Sequence, residues 1–132
     1  MQHKTLNDLL IEANNEVRSL DYVETLNKIE HDKCVIIDVR EESELIQHGY
    51  IKNAINIPRG LIEFKLAPDS ANNPINIDDN TNILVYCAGG YRSALAAKAL
   101  QDLGFKNVFN IGGFADWVNS GGEIVKWCIF YY

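Results

Sequence analysis

The sequence is short of cysteine, of long apolar runs and of positive charge. Three cysteines in 132 residues, at positions 34, 87 and 128, are too few and too scattered for a disulfide framework. No two of them sit at C-x-x-C spacing. His3, His31 and His48 form no zinc-ligand pattern with them, so no metal site is expected. No stretch approaches the roughly 20 apolar residues that a membrane-spanning helix needs. The opening MQHKTLNDLL lacks the basic flank and continuous apolar segment of a secretory leader, and a cytoplasmic protein is expected. Basic residues number 12 against 18 acidic ones, a net charge of -6. A general nucleic-acid binder carries a basic footprint, which this composition excludes. If the substrate is an anion, a local positive site must overcome that background. Internal repeats and low-complexity segments are also absent.

What the chain does have is 47% hydrophobic and 23% charged residues, the balance of a soluble globular protein. Its length fits one domain around one core. Leu6, Leu9, Leu10, Ala13 and Val17 recur at three- and four-residue spacing and predict an amphipathic helix from Thr5, which can cap it. Asp21 and Glu24 have capping-box spacing and open a second helix, with Tyr22, Leu26 and Ile29 as its inner face. Cys34-Val-Ile-Ile-Asp-Val39 reads as a buried strand. A short acidic helix comes next, over 41–47. Ala54-Ile-Asn-Ile57 is a second strand, stopped by Pro58, and residues 59–66 read as helical. Residues 67–82, rich in Asp, Asn and Pro, read as surface loop. Ile83-Leu-Val-Tyr86 is a buried strand, and residues 93–103 form a helix stopped by Gly104. Asn107-Val-Phe-Asn-Ile111 is a further strand. Gly112-Gly113 then turns the chain into a last helix around Trp117. Strands alternating with helices mean an α/β domain with a mostly parallel sheet. In such sheets ligands sit at the carboxyl ends of the strands.

Past Tyr86, where that strand ends, the chain runs Cys87-Ala-Gly-Gly-Tyr-Arg92-Ser93 and then enters a helix. Only a thiolate is a good nucleophile, and an unperturbed cysteine is mostly thiol at neutral pH. At a helix N-terminus, unpaired N–H groups and the helix dipole stabilise the thiolate. Gly89 and Gly90 let the chain curl into a nest of amides that binds an anion. Arg92 adds a cation with a fork suited to oxyanions. Ser93 can cap the helix and donate inward. The bland alternative is a strand-to-helix turn around an inert buried cysteine.

Cys87-x-x-Gly90-x-Arg92-Ser93 resembles the active-site loop of single-domain rhodaneses. Ile37-Asp-Val-Arg-Glu41 is similar to that family's first strand motif. The blocks 50–60, 103–108 and 112–117 resemble its others in order and spacing, so the resemblance runs from Ser19 to Val125. It implies a rhodanese-like three-layer sandwich: a five-stranded, mostly parallel sheet with helices on both faces. The division is then 1–18 as an N-terminal helical extension, 19–126 as the rhodanese domain and 127–132 as an apolar tail. It further implies a sulfurtransferase acting through a Cys87 persulfide, with Ala88, Gly89, Gly90, Tyr91, Arg92 and Ser93 around the substrate. No metal or organic cofactor is implied. The expected partners are a small anionic sulfur donor such as thiosulfate and a thiol or protein acceptor, with the chain a monomer or homodimer. There are three departures. Gly49-Tyr50-Ile51 replaces the usual Gly-His-Ile, Asn53 stands where glycine is common, and Tyr91 is bulky for its place.

The same fold hosts phosphatases and arsenate reductases. Those enzymes resemble Cys-x5-Arg, whereas Cys87 to Arg92 is Cys-x4-Arg, a ring better matched to a terminal sulfur. A relay module fed by a protein donor is the other alternative. Beyond the loop, Arg59 comes directly after Pro58 at a strand end and is a candidate for the pocket. Asp38 is expected to bond loop backbone or a neighbouring cation. Arg40 and Glu44, four apart, could pair with each other. His48 is expected to be a solvated surface histidine, and Trp117 and Cys34 to pack in the interior. Cys128 could resolve an oxidised Cys87 only if the tail reaches the loop. The tail, Trp127-Cys-Ile-Phe-Tyr-Tyr132, is expected to cover the domain's own core or to pair with a second copy.

Overall fold

In the computed structural model, residues 2–127 are described. Cys128 and the rest of the 128–132 tail lie outside them, and with them the expectations for that segment. Helix α1 spans Leu6–Glu16 and α2 spans Tyr22–His31. Both begin at the residues the sequence marks. Thr5 caps α1 with Asp8 returning the bond, and Asp21 caps α2 with Glu24 doing the same. Each cap satisfies amides that would otherwise be orphaned. The inner face of α2 centres on buried Thr25 rather than Leu26, which is 37% exposed. The Thr25 hydroxyl donates to the Asp21 carbonyl, so it enters the interior already satisfied.

Five strands form one parallel sheet: β1 (Arg18–Ser19), β2 (Cys34–Asp38), β4 (Ile55–Asn56), β5 (Asn82–Cys87) and β6 (Val108–Gly113), in the order β1-β6-β5-β2-β4. A separate two-stranded antiparallel ribbon joins β3 (Tyr50–Ile51) to β7 (Ile124–Val125). Between β2 and β3 lies α3 (Glu42–His48). A 3-10 turn at Arg59–Leu61 leads into α4 (Ile62–Leu66). Helix α5 covers Tyr91–Asp102, and α6 covers Phe114–Asn119. Asn53, where a glycine is common in the family, has φ +70° and is the one non-glycine among the described residues with positive φ. Asparagine tolerates that region better than most residues.

The central strand β5 shows how the sheet is covered on both sides. Its side chains alternate, as the pleat requires. Ile83, Val85 and Cys87 pack with Val17, Ile62, Leu66, Ala96, Ala97 and Leu100, which belong to the layer of α1, α4 and α5. Leu84 and Tyr86 pack with Ile51, Phe114 and Trp117 on the opposite face, with Tyr22 and Ile29 of α2 against them. Trp117 is interior, as expected, with its ring edge on Tyr22 and its N–H donating to the Glu123 carbonyl. The N-terminal segment joins the first layer: Ala13 and Val17 are buried, and Gln101 donates to the Glu16 carbonyl.

Two elements depart from the sequence reading. Strand β6 continues through Gly112 and Gly113 instead of turning there. A register shift against β5 makes this possible, with Val85 opposite Asn110 but Tyr86 opposite Gly112. Gly112 takes φ +93° at the resulting bulge. Helix α5 starts two residues early, with Gly90 as its N-cap, so Ser93 lies inside the first turn and does not cap it.

Candidate active site

The alternation along β5 decides where the cysteine points. Cys87 is the last residue of the strand, on the same face as Ile83 and Val85, and so faces the N-terminus of α5. The chain then makes a tight loop, with Gly90 at φ +94°, a conformation that glycine adopts without strain. This aims the Gly90 N–H at the Cys87 sulfur, 3.0 Å away, and the Ser93 hydroxyl, 3.5 Å from the same sulfur, can turn its one proton either to it or to Asn110. The residue is only 1% exposed. Burial works to raise the thiol pKa. The Ser93 hydroxyl and the amides of Ser93, Gly90 and Gly89 more than reverse that, and the net shift is downward. These hydrogen bonds therefore favour the anionic form of the Cys87 sulfur.

Because Ser93 supplies the largest of the opposing effects, Ser93→Ala is expected to raise the pH at which Cys87 becomes reactive. The alkylation rate of Cys87 against pH should show a midpoint below that of an ordinary cysteine in the native protein, and the variant's curve should move upward. Identical curves would remove Ser93 from thiolate stabilisation.

A second residue, missed in the sequence, braces the loop. Asn110 is 7% exposed in the middle of β6. Its carbonyl oxygen is the alternative acceptor for the Ser93 hydroxyl, at 2.8 Å, and accepts from the Gly112 amide at 3.0 Å. Its amide nitrogen donates to the Gly90 carbonyl at 3.0 Å. The available signal was one polar side chain inside the run Val108-Phe-Asn-Ile, since a buried amide requires partners. Gly113 backs the loop on the other side, where a Cβ would stand 2.5 Å from the Ala88 carbonyl oxygen. Tyr91, whose bulk raised the question of access, is 69% exposed.

The arginines are arranged differently from the sequence expectation. Arg40 does not pair with Glu44. It lies buried against Asp38, with the carboxylate accepting from its backbone N–H, Nε and Nη2, and Nη2 also donates to the Gly49 carbonyl. Its guanidinium covers the Phe114 ring at 4.3 Å. Asp38 therefore plays the structural part expected of it. Glu44 instead crosses to the loop and takes Arg92 in a two-pronged bond, Oε2 from Nη1 at 2.8 Å and Oε1 from Nη2 at 2.9 Å. The Arg92 hydrogen bonds hold the Glu44 carboxyl at about 2. Its contribution to folding is thus fully present above the ordinary carboxylate range and is lost only as pH falls toward about 2. Arg59 pairs with Glu63 at 3.0 Å. Like Cys87 and Arg92, it is not among the residues that line the cavity beside the loop, to which the loop contributes Ala88.

That cavity has a volume of about 730 Å³. Ala88 and Glu44 line it on the loop side, and Phe114, Val118 and Ile124 supply apolar wall. His48, exposed as expected, and Lys126 also line it. Its size suits a small molecule. Among the described residues, no group of three or more His, Cys, Asp or Glu side chains could hold a metal ion. No helix among them is long and apolar enough to cross a membrane.

A parallel α/β sheet presenting one covered strand-end thiolate to an amide loop defines a class of cysteine-loop domains. Within that class, the model of the Rhodanese-like domain matches residues 21–120, and the chain belongs to this family. Over 89 residues it is 37% identical to a mitochondrial protein of Schizosaccharomyces pombe provisionally assigned as a thiosulfate sulfurtransferase, covering 63% of this chain and 62% of that one. A Chlamydia abortus tRNA uridine(34) hydroxylase is 30% identical over 105 residues, 78% of this chain and 31% of that protein. The chain thus spans less than two thirds of either relative. Among solved structures, a Rhodopseudomonas palustris protein of unknown function, suggested to be a tyrosine phosphatase, superposes with a TM-score of 0.85 at 36% identity, over 95% of this chain and 97% of that one. A rhodanese with anions from E. coli superposes at 0.57 and 32% identity, over 71% and 99%.

Proposed function

We propose that the chain is a sulfurtransferase that carries a sulfane sulfur on Cys87 between a small donor and a thiophilic acceptor. The observation that supports this best is the sulfur of Cys87 buried in a ring of donors that favours its anion. With thiosulfate, the Cys87 thiolate attacks the outer sulfur and a new S–S bond forms. The bond to the sulfonate sulfur breaks, its electron pair leaves with sulfite, and Cys87 keeps a persulfide anion. The loop amides that hold the thiolate are placed to hold that anion too. An acceptor nucleophile, cyanide in an assay or a thiol in a cell, then attacks the outer sulfur and restores the thiolate. This is a two-step covalent route in which neither a metal nor an organic cofactor takes part.

Intact mass of the protein after exposure to thiosulfate or a low-molecular-mass persulfide tests this. The gain of one sulfur atom is expected, discharged by cyanide as thiocyanate. No gain with either donor would end the proposal. The phosphatase suggestion for the Rhodopseudomonas palustris protein supplies a rival reading. In this chain the ring from Cys87 to Arg92 is short, and both terminal nitrogens of Arg92 already bind Glu44. Cys87-dependent hydrolysis of an aryl phosphate is therefore expected to be negligible beside sulfur transfer. Comparable rates would reverse that order.

A further inference from the structure

Three arginines follow strands in the sequence, Arg40, Arg59 and Arg92. In the fold each is paired with a carboxylate of the same chain: Asp38, Glu63 and Glu44. The Arg92 pairing matters most, because Arg92 is the cation beside the sulfur. Its protonation is favoured first by the bonds to Glu44, with the Cys87 sulfur adding to it. The pair is end-on and bidentate, so the edge of the fork best suited to an oxyanion is taken. Glu44 is part of α3 and is 48 residues from Arg92 in sequence, so a separate element of the fold brings it there. It also lines the cavity to which the loop contributes Ala88. An arriving sulfonate must displace a carboxylate from Arg92 and then lie beside its charge. At about 4 Å, two like charges in a setting of intermediate dielectric repel appreciably.

We propose that Glu44 is a specificity-determining positioning residue, which by occupying Arg92 biases the site against oxyanion donors and toward persulfide donors. The inference rests on the sulfur-transfer reading and narrows its substrate class. A protonated persulfide, R–S–SH, brings no charged oxygens. The Cys87 thiolate attacks its outer sulfur, the S–S bond breaks, and R–S⁻ leaves with the electron pair. The proton stays on the transferred sulfur. This exchange needs the amide loop and no free guanidinium. His48 and Lys126 share the cavity wall.

The test compares the native protein, Glu44→Gln and Glu44→Asp. The ratio of kcat/KM for thiosulfate to kcat/KM for a low-molecular-mass persulfide is expected to rise at least about tenfold in Glu44→Gln, through a lower KM for thiosulfate, which corresponds to roughly 1.4 kcal/mol. Glu44→Asp, which keeps the charge, should stay near the native ratio. An unchanged or lower ratio in Glu44→Gln, or an equal rise in Glu44→Asp, would overturn the proposal. A direct binding measurement separates this failure from failure of the functional reading. Sulfate protection of Cys87 against alkylation needs no turnover, and it should occur at lower sulfate concentration in Glu44→Gln. If neither donor loads Cys87, the sulfur-transfer reading fails. The charge argument is then judged by the sulfate result alone, and equal protection in all three proteins would reject it.

Discussion

Cys87→Ser is expected to reduce thiocyanate formation from thiosulfate and cyanide by on the order of a thousandfold or more, the scale seen when a covalent nucleophile is removed. A serine hydroxyl in the same loop remains protonated near neutral pH, and it cannot form a persulfide. The fold should tolerate the change. The new oxygen accepts from the Gly90 amide, and its own O–H can donate to the Ser93 oxygen while the Ser93 proton goes to Asn110, so no buried donor is stranded. A loss of stability within about 1–2 kcal/mol is expected, ordinary for a single substitution. Cys34→Ser is the control. Cys34 is half-buried, bonds the Lys28 carbonyl through its sulfur, and has its thiol pKa pushed up by burial. That variant should keep its activity. Transfer surviving in Cys87→Ser but lost in Cys34→Ser would place the chemistry at the wrong thiol.

The second large effect concerns stability. Arg40→Met is expected to cost about 3–5 kcal/mol, because it leaves the fully buried Asp38 carboxylate without its main partner. For a domain of this size that lowers Tm by on the order of 10 °C or more. Methionine fills much of the volume beside Phe114 and Tyr86, so the loss reports the stranded charge rather than a cavity. Replacing both partners, Asp38→Leu with Arg40→Met, should recover a large part of the loss, since a buried pair often gains little over apolar packing. The two changes should therefore be strongly non-additive. A calorimetric Tm of Arg40→Met within about 2 °C of native would show that Asp38 is adequately held by its remaining partners, the Arg40 amide and the Tyr86 hydroxyl.

The starts of helices α1 and α2 were legible because their signals are local. A capping residue, its partner three positions on and a three-to-four spacing all fall within a dozen residues. The strand that leads into Cys87 was legible for the same reason, as an apolar run cut off by glycines, and the loop stood out as a candidate site through residue types alone. The resemblance to rhodaneses rested on the same blocks. The end of β6 was not legible. Gly112-Gly113 reads as a turn by composition, and only pairing across to β5 keeps it in the sheet with a bulge.

The pairing of charges divides the two kinds of information most clearly. Sequence alone determined that Cys87 lies at the carboxyl end of a strand, that glycines and an arginine come after it, and that Asp38 needs a partner. It could not determine which carboxylate meets which guanidinium. Arg40 and Glu44 have the spacing of a helical pair, and nothing local argues against it. The tertiary structure decided otherwise. Residue 40 precedes α3, and its side chain turns inward onto Asp38, Gly49 and the Phe114 ring. That releases Glu44 to reach Arg92 across the cleft. Caps and strand ends depend on neighbours in the chain, whereas a charge pairs with whatever the packed layers bring within about 3 Å, and that distance is set only when the whole sheet has formed.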